Sequence, residues 1–118
     1  MKKVIFYSYP KCSTCRKASK WLDQNNIKYQ FIDIVKEPPS KKYLELSLKQ
    51  FSLDIKKIFN TRGKSYKLIN FDIFDLTKKK IIELLTNDGK LIKRPFLIIN
   101  ESNLLIGFNE SEYAANFK

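Results

Sequence analysis

The chain has no histidine, and its 118 residues include only two cysteines, three glycines, one methionine and one tryptophan. Without histidine there is no Cys–His dyad, so an activated nucleophile has to draw on a helix N-terminus or on nearby cations. Zinc wants four ligands, and two cysteines cannot supply them unless carboxylates or a second chain join in, so no metal is expected. Two cysteines are also too few for a disulfide scaffold. No apolar run approaches the roughly 20 residues of a membrane-spanning helix. Residues 1–7 already read as structure, which leaves no secretory leader. The expectation is a cytoplasmic protein with no membrane partner.

Acidic residues are also in short supply, with 12 Asp and Glu against 23 Lys and Arg and a net charge of +11. Such a balance invites a nucleic-acid or acidic partner. The lysines are spread along the chain, however, as in Lys41-Lys42, Lys56-Lys57 and Lys78-Lys79-Lys80, and no run interleaves them with aromatics. They read as a solvated surface, and no direct nucleic-acid contact is expected. Arginine is the scarce base: Arg16, Arg62 and Arg94 stand against twenty lysines. Three arginines kept in a lysine-biased chain suggest positions where a planar, bidentate fork matters; chance is the alternative.

What the chain does have is 43% hydrophobic and 14% aromatic residues, enough for the core of one domain. Both cysteines fall in Lys11-Cys12-Ser13-Thr14-Cys15-Arg16. A strand over 3–7 precedes them, Ser8-Tyr9-Pro10 breaks it, and a helix over 13–25 follows, with Ala18, Trp21 and Leu22 on one face. This order puts Cys12 at the start of a helix, where unpaired N–H groups and the helix dipole favour a thiolate. Cys15 lies one turn on, close enough to form a disulfide with Cys12. The pair reads as a redox or nucleophilic thiol site, the alternative being two inert buried thiols. Arg16 points down the first turn and reads as a surface residue.

Ile27 to Ile34 alternates and reads as a second strand, giving an opening β-α-β unit. Ser40 caps a helix over 41–51, Asp54 a short helix over 55–59, and Thr77 a helix over 78–86 with Ile81, Ile82, Leu84 and Leu85 inward. Asn60-Thr61-Arg62-Gly63 is a turn, and Phe71 to Phe74 reads as helix or loop. Strands over 96–99 and 104–106 form a hairpin, followed by a helix over 110–117.

This order, with CxxC after the first strand and a proline leading into the third, resembles the thioredoxin fold: a mixed four-stranded sheet carrying an inserted helical block. Tyr9 to Ala18, Asn60-Thr61-Arg62, Lys93-Arg94-Pro95 and Gly107-Phe108-Asn109-Glu110 together resemble the arsenate reductase (ArsC-like) family, nearest its Spx/MgsR-like branch. The resemblance implies one domain over 1–118, with a thioredoxin-like core of 1–36 and 90–118 and a helical insert of about 40–86. It implies Cys12 as the nucleophile, Cys15 as the second cysteine of a redox disulfide, Arg94 and Arg62 as oxyanion-binding residues, and Pro95 as a site-shaping cis-proline. It implies a thiol-dependent oxidoreductase acting as a monomer on a small oxyanion or thiol substrate. No cofactor is implied beyond an external thiol reductant such as glutathione/glutaredoxin or thioredoxin. The other class it implies is a redox-sensing transcriptional regulator that binds the RNA polymerase alpha subunit. Two stretches depart from the pattern. Reductases carry a further arginine near the last turn, where this chain has Gly107-Phe108-Asn109. The regulators carry a glycine in the helical block, where this chain has Asp54.

Overall fold

The computed structural model describes residues 2–52 and 54–118, and Met1 and Leu53 lie outside it. These residues fall into two compact units, one running up to Asp33 and resuming at Arg94, the other spanning Ile34–Lys93. The joins fall at 33/34 and 93/94 because the flanking residues pack within the second unit. The backbone of Gly89 lies against the Ile34 carbonyl, and Ile92 bridges to Phe59.

The first unit holds strands β1 (Val4–Ser8), β2 (Gln30–Asp33), β3 (Phe96–Ile99) and β4 (Asn103–Ile106), with helices α1 (Ser13–Gln24) and α5 (Glu110–Phe117). The strands form one sheet in the order β2-β1-β3-β4, with β1 and β2 parallel and the other pairs antiparallel. This is the thioredoxin-like architecture. Register puts Phe6 opposite Leu97, Val4 opposite Ile99, and Leu97 opposite Leu105. These residues share one face and pack with Ala18, Trp21 and Leu22 of α1 and Tyr113 of α5. The β3–β4 hairpin turns through Asn100 and Glu101, both at positive φ (51° and 59°), and the Ser102 N–H donates to the Ile99 carbonyl at 3.2 Å. The left-handed φ at these two central residues gives the twist that suits a hairpin, and Ser102 completes a three-residue connection between Ile99 and Asn103.

The opening β-α-β unit forms, but its second strand is shorter than the alternation over 27–34 suggests. Asn26 takes a left-handed φ of 57°, and the Ile27 N–H donates to the Leu22 carbonyl at 3.0 Å. Ile27 therefore closes α1 instead of starting β2.

The second unit holds α2 (Lys41–Gln50), α3 (Lys64–Lys67) and α4 (Lys78–Asn87), joined by single 3-10 turns at Ile55–Lys57, Ile73–Asp75 and Gly89–Leu91. Thr77 caps α4 through its Oγ1, which accepts the Lys80 N–H at 3.2 Å. Ile81, Ile82 and Leu85 are buried as the pattern predicts, whereas Leu84 is only half-buried. The helix expected over 55–59 is one 3-10 turn because Phe59 pairs with Ile92 instead, and the Lys93 N–H donates to the Ile58 carbonyl at 2.7 Å. The short α3 lies just past the turn at 60–63; its four residues, KSYK, carry too little apolar periodicity to announce it.

Candidate functional site

Where β1 ends, Tyr9-Pro10-Lys11 turns the chain into α1, and Cys12 is the residue that caps the helix. Its backbone is extended (φ −94°, ψ 120°) and its Sγ accepts the Cys15 N–H at 3.3 Å. Its own N–H donates to the Tyr9 carbonyl at 3.0 Å, and its carbonyl accepts the Arg16 N–H at 3.1 Å. Capping positions usually carry an oxygen that accepts such an N–H. A sulfur placed there meets the same donor and the positive end of the helix dipole, and both favour its anion. Cys12 remains partly exposed while Cys15 is buried at 1%. Both are free thiols.

The two sulfurs are pushed in opposite directions. Burial works against ionising Cys12, but it is outweighed by hydrogen bonds from the Cys15 thiol and Cys15 N–H, and by the hydrogen bond and positive charge of the Arg94 guanidinium. The Cys12 thiol therefore titrates below its ordinary value. Cys15 is pushed up to about 11, chiefly by burial and further by the hydrogen bond and charge of Cys12; the Ser8 hydroxyl and the Tyr9 backbone N–H oppose this in part.

Arg94 reaches Cys12 from the segment leading into β3. The Arg94–Pro95 peptide bond is cis, as the resemblance implies, and Pro95 is buried. The guanidinium carbon lies 5.0 Å from the centroid of the Tyr9 ring. Its Nη1 is fully buried and has no hydrogen-bond partner among the described residues. The structure thus brings Cys12, Cys15 and Arg94 together, and one buried nitrogen of the guanidinium has no partner among the described residues. Arg62 lies exposed in the Ile34–Lys93 unit, in the turn before α3. Arg16 is on the helix surface as expected, its Nη1 donating to the Pro10 carbonyl at 2.9 Å. At 107–109 the chain offers no cation: Gly107 takes a φ of 80°, Phe108 stacks edge-on against Tyr113, and Asn109 caps α5. A groove of about 230 Å³ flanks the turn, its lining including Ser8, Tyr9, Cys15, Arg16, Tyr29 and Phe31. Among the described residues no three Cys, Asp or Glu side chains gather as a metal site.

The ArsC family model matches residues 7–116, nearly the whole chain. The chain belongs to the ArsC family. Within it, the chain falls in the Spx/MgsR-like branch. It is 40% identical to the YusI protein of Bacillus subtilis strain 168, over 97% of this chain and 98% of that one. It is 35% identical to the regulatory protein MgsR of the same organism, over 92% of this chain and 86% of that one. Among solved structures it is similar to a possible arsenate reductase from Streptococcus mutans UA159, with a TM-score of 0.89 and 37% identity over 99% of this chain and 100% of that one. The ArsC family chain described here is thus similar both to a protein named for catalysis and to one named for regulation.

Two residues of the site are not apparent from the sequence pattern. Ser8 is buried at 4% against Cys15, and Tyr9 sits against Arg94. Their signal is adjacency to the cysteine turn and, for Tyr9, a place at the head of the family-like stretch Tyr9 to Ala18, but a hydroxyl and an aromatic at a strand end have ordinary structural uses.

Proposed function

We propose that this protein is a thiol-dependent oxidoreductase resembling arsenate reductase, with Cys12 as the nucleophile and Cys12–Cys15 as its redox disulfide. The observation that carries this reading is the N-capping Cys12 sulfur beside Arg94, one helical turn from a second thiol pushed in the opposite direction. The Cys12 thiolate attacks the As(V) centre of a small oxyanion, or one sulfur of a disulfide substrate, whose S–S bond breaks and whose other sulfur leaves as a thiol. Arg94, with its unpaired Nη1, balances the charge that gathers there, and Arg62 is the second candidate cation. Bonding Cys12 to the substrate removes its negative charge and its acceptor sulfur, two of the causes that hold the Cys15 thiol up. Cys15 then loses its proton more readily and attacks the Cys12 sulfur. For arsenate, two thiols become one disulfide, arsenic gains two electrons, and arsenite and water leave. An external thiol, glutathione/glutaredoxin or thioredoxin, returns the pair to dithiol.

A second reading is a redox-sensing regulator that binds the RNA polymerase alpha subunit and uses the same disulfide as its switch. It is favoured by the 35% identity to MgsR and by the want of a cation at 107–109. One experiment separates the two. Purified protein is given arsenate with each reductant system and arsenite is measured; in parallel, its reduced and oxidised forms are tested for capture of the purified alpha subunit. Arsenite formation that disappears in Cys12→Ser supports the oxidoreductase. Redox-dependent capture without any arsenite would replace it with the regulator.

A further inference from the structure

Tyr9 touches every part of the candidate site. Its carbonyl accepts the Cys12 N–H at 3.0 Å, its N–H opposes the rise of the Cys15 thiol, and its ring faces the Arg94 guanidinium at 5.0 Å. Among the described residues no carboxylate pairs with Arg94, and its Nη1 is buried without a partner. An arginine placed by a carboxylate would have its charge neutralised and part of its donor fork occupied. An arginine placed on an aromatic face is held by the ring quadrupole and keeps both its charge and its donors.

We propose that Tyr9 is a positioning residue whose ring holds the Arg94 guanidinium against the Cys12 sulfur without consuming its charge or its donors. This rests on the reading of Cys12 as the reactive thiol and adds to it the residue that sets the cation's place. On this proposal the ring alone carries the effect, and the tyrosine hydroxyl is not required. The Tyr9 ring reaches the reaction only through Arg94; the contacts of Tyr9 with Cys12 and Cys15 are made by its backbone and survive a change of side chain.

The test is the rate of Cys12 alkylation by iodoacetamide across pH, read by mass spectrometry. It compares wild type, Tyr9→Leu, Tyr9→Phe, Arg94→Ala and the Tyr9→Leu/Arg94→Ala double variant. Tyr9→Leu is expected to slow Cys12 at neutral pH by roughly three- to tenfold, the size of a partly desolvated cation–π contact, and to move its pH profile upward. Tyr9→Phe restores most of that loss. In the Arg94→Ala background Tyr9→Leu has no further effect, because the ring has nothing left to hold. Phenylalanine analogues of increasing fluorination at position 9 guard against a folding defect: they keep the shape, drain the ring face of negative charge, and are expected to slow Cys12 stepwise. If Tyr9→Leu matches wild type while Arg94→Ala is slow, the Tyr9 proposal is overturned and the Cys12–Arg94 site stands. Additive losses in the double variant, or a flat fluorination series, overturn it too. If wild-type Cys12 itself alkylates no faster than an ordinary thiol, the underlying reading of the site fails instead.

Discussion

At the residue scale the two thiols carry opposite signs in the pH dependence of stability. Cys15 is pushed from an ordinary 9.0 up to about 11, so the unfolded chain gives up that proton first. Its contribution to stability is complete below about 9.0 and is lost as pH rises toward 11. Cys12, whose folded value is depressed, contributes above its ordinary value, and that contribution is lost as pH falls through the folded one. Urea melts of reduced protein should therefore show stability declining from pH 9.0 toward 11, and Cys12→Ser should shrink the decline, because the hydrogen bond and charge of Cys12 both raise Cys15. A decline of equal depth in Cys12→Ser would mean that Cys12 does not raise the Cys15 value. The placement of the two cysteines was legible in the sequence because an apolar strand, a turn with Pro10 and a helical pattern bracket the CxxC. Arg94 became legible through the family resemblance and Pro95. Tyr9 and Ser8 were not, since what marks them is contact with a guanidinium and a thiol, which local pattern does not record.

At the scale of elements, α1 was readable almost to the residue. Cys15, Ala18, Trp21 and Leu22 are its buried residues, and Asn25-Asn26 supplies the left-handed stop. What eluded the sequence are the places where a residue serves two elements. Ile27 continues an alternating pattern yet closes a helix, and Phe59 ends an apparent helix yet pairs with Ile92. Gly89 is another such place. It follows α4 as a stop signal, but a Cβ there would collide with the Ile34 carbonyl oxygen and crowd the carbonyl carbon at 2.8 Å. The obstacle is backbone, so it cannot rotate away. Gly89→Ala is expected to destabilise the Ile34–Lys93 unit by about 2 kcal/mol or more, seen as a lowered midpoint in thermal or urea unfolding. An unchanged midpoint would show that the Ile34 backbone yields at little cost.

At the scale of the whole molecule, the thioredoxin-like sheet was legible because β1, β3 and β4 each carry a short apolar run, β2 lies in an alternating stretch, and each turn has its own Pro, Gly or Asn. The helical block was legible as a block but not in its joints, which are single 3-10 turns without a strong period. The choice between oxidoreductase and regulator is not written in the fold, since one fold can host unrelated functions. Both readings need the same event, closure of a disulfide between Cys12 and Cys15 within one chain, because the molecule has no other cysteine. The most direct measurement is to equilibrate the protein in glutathione redox buffers, quench with acid and alkylator, and determine its intact mass and its state on a non-reducing gel. The account predicts a monomer that passes from two free thiols to one internal disulfide, with glutathione adducts confined to Cys12 and transient. A covalent dimer, or a stable Cys12–glutathione adduct with Cys15 still free, would contradict it.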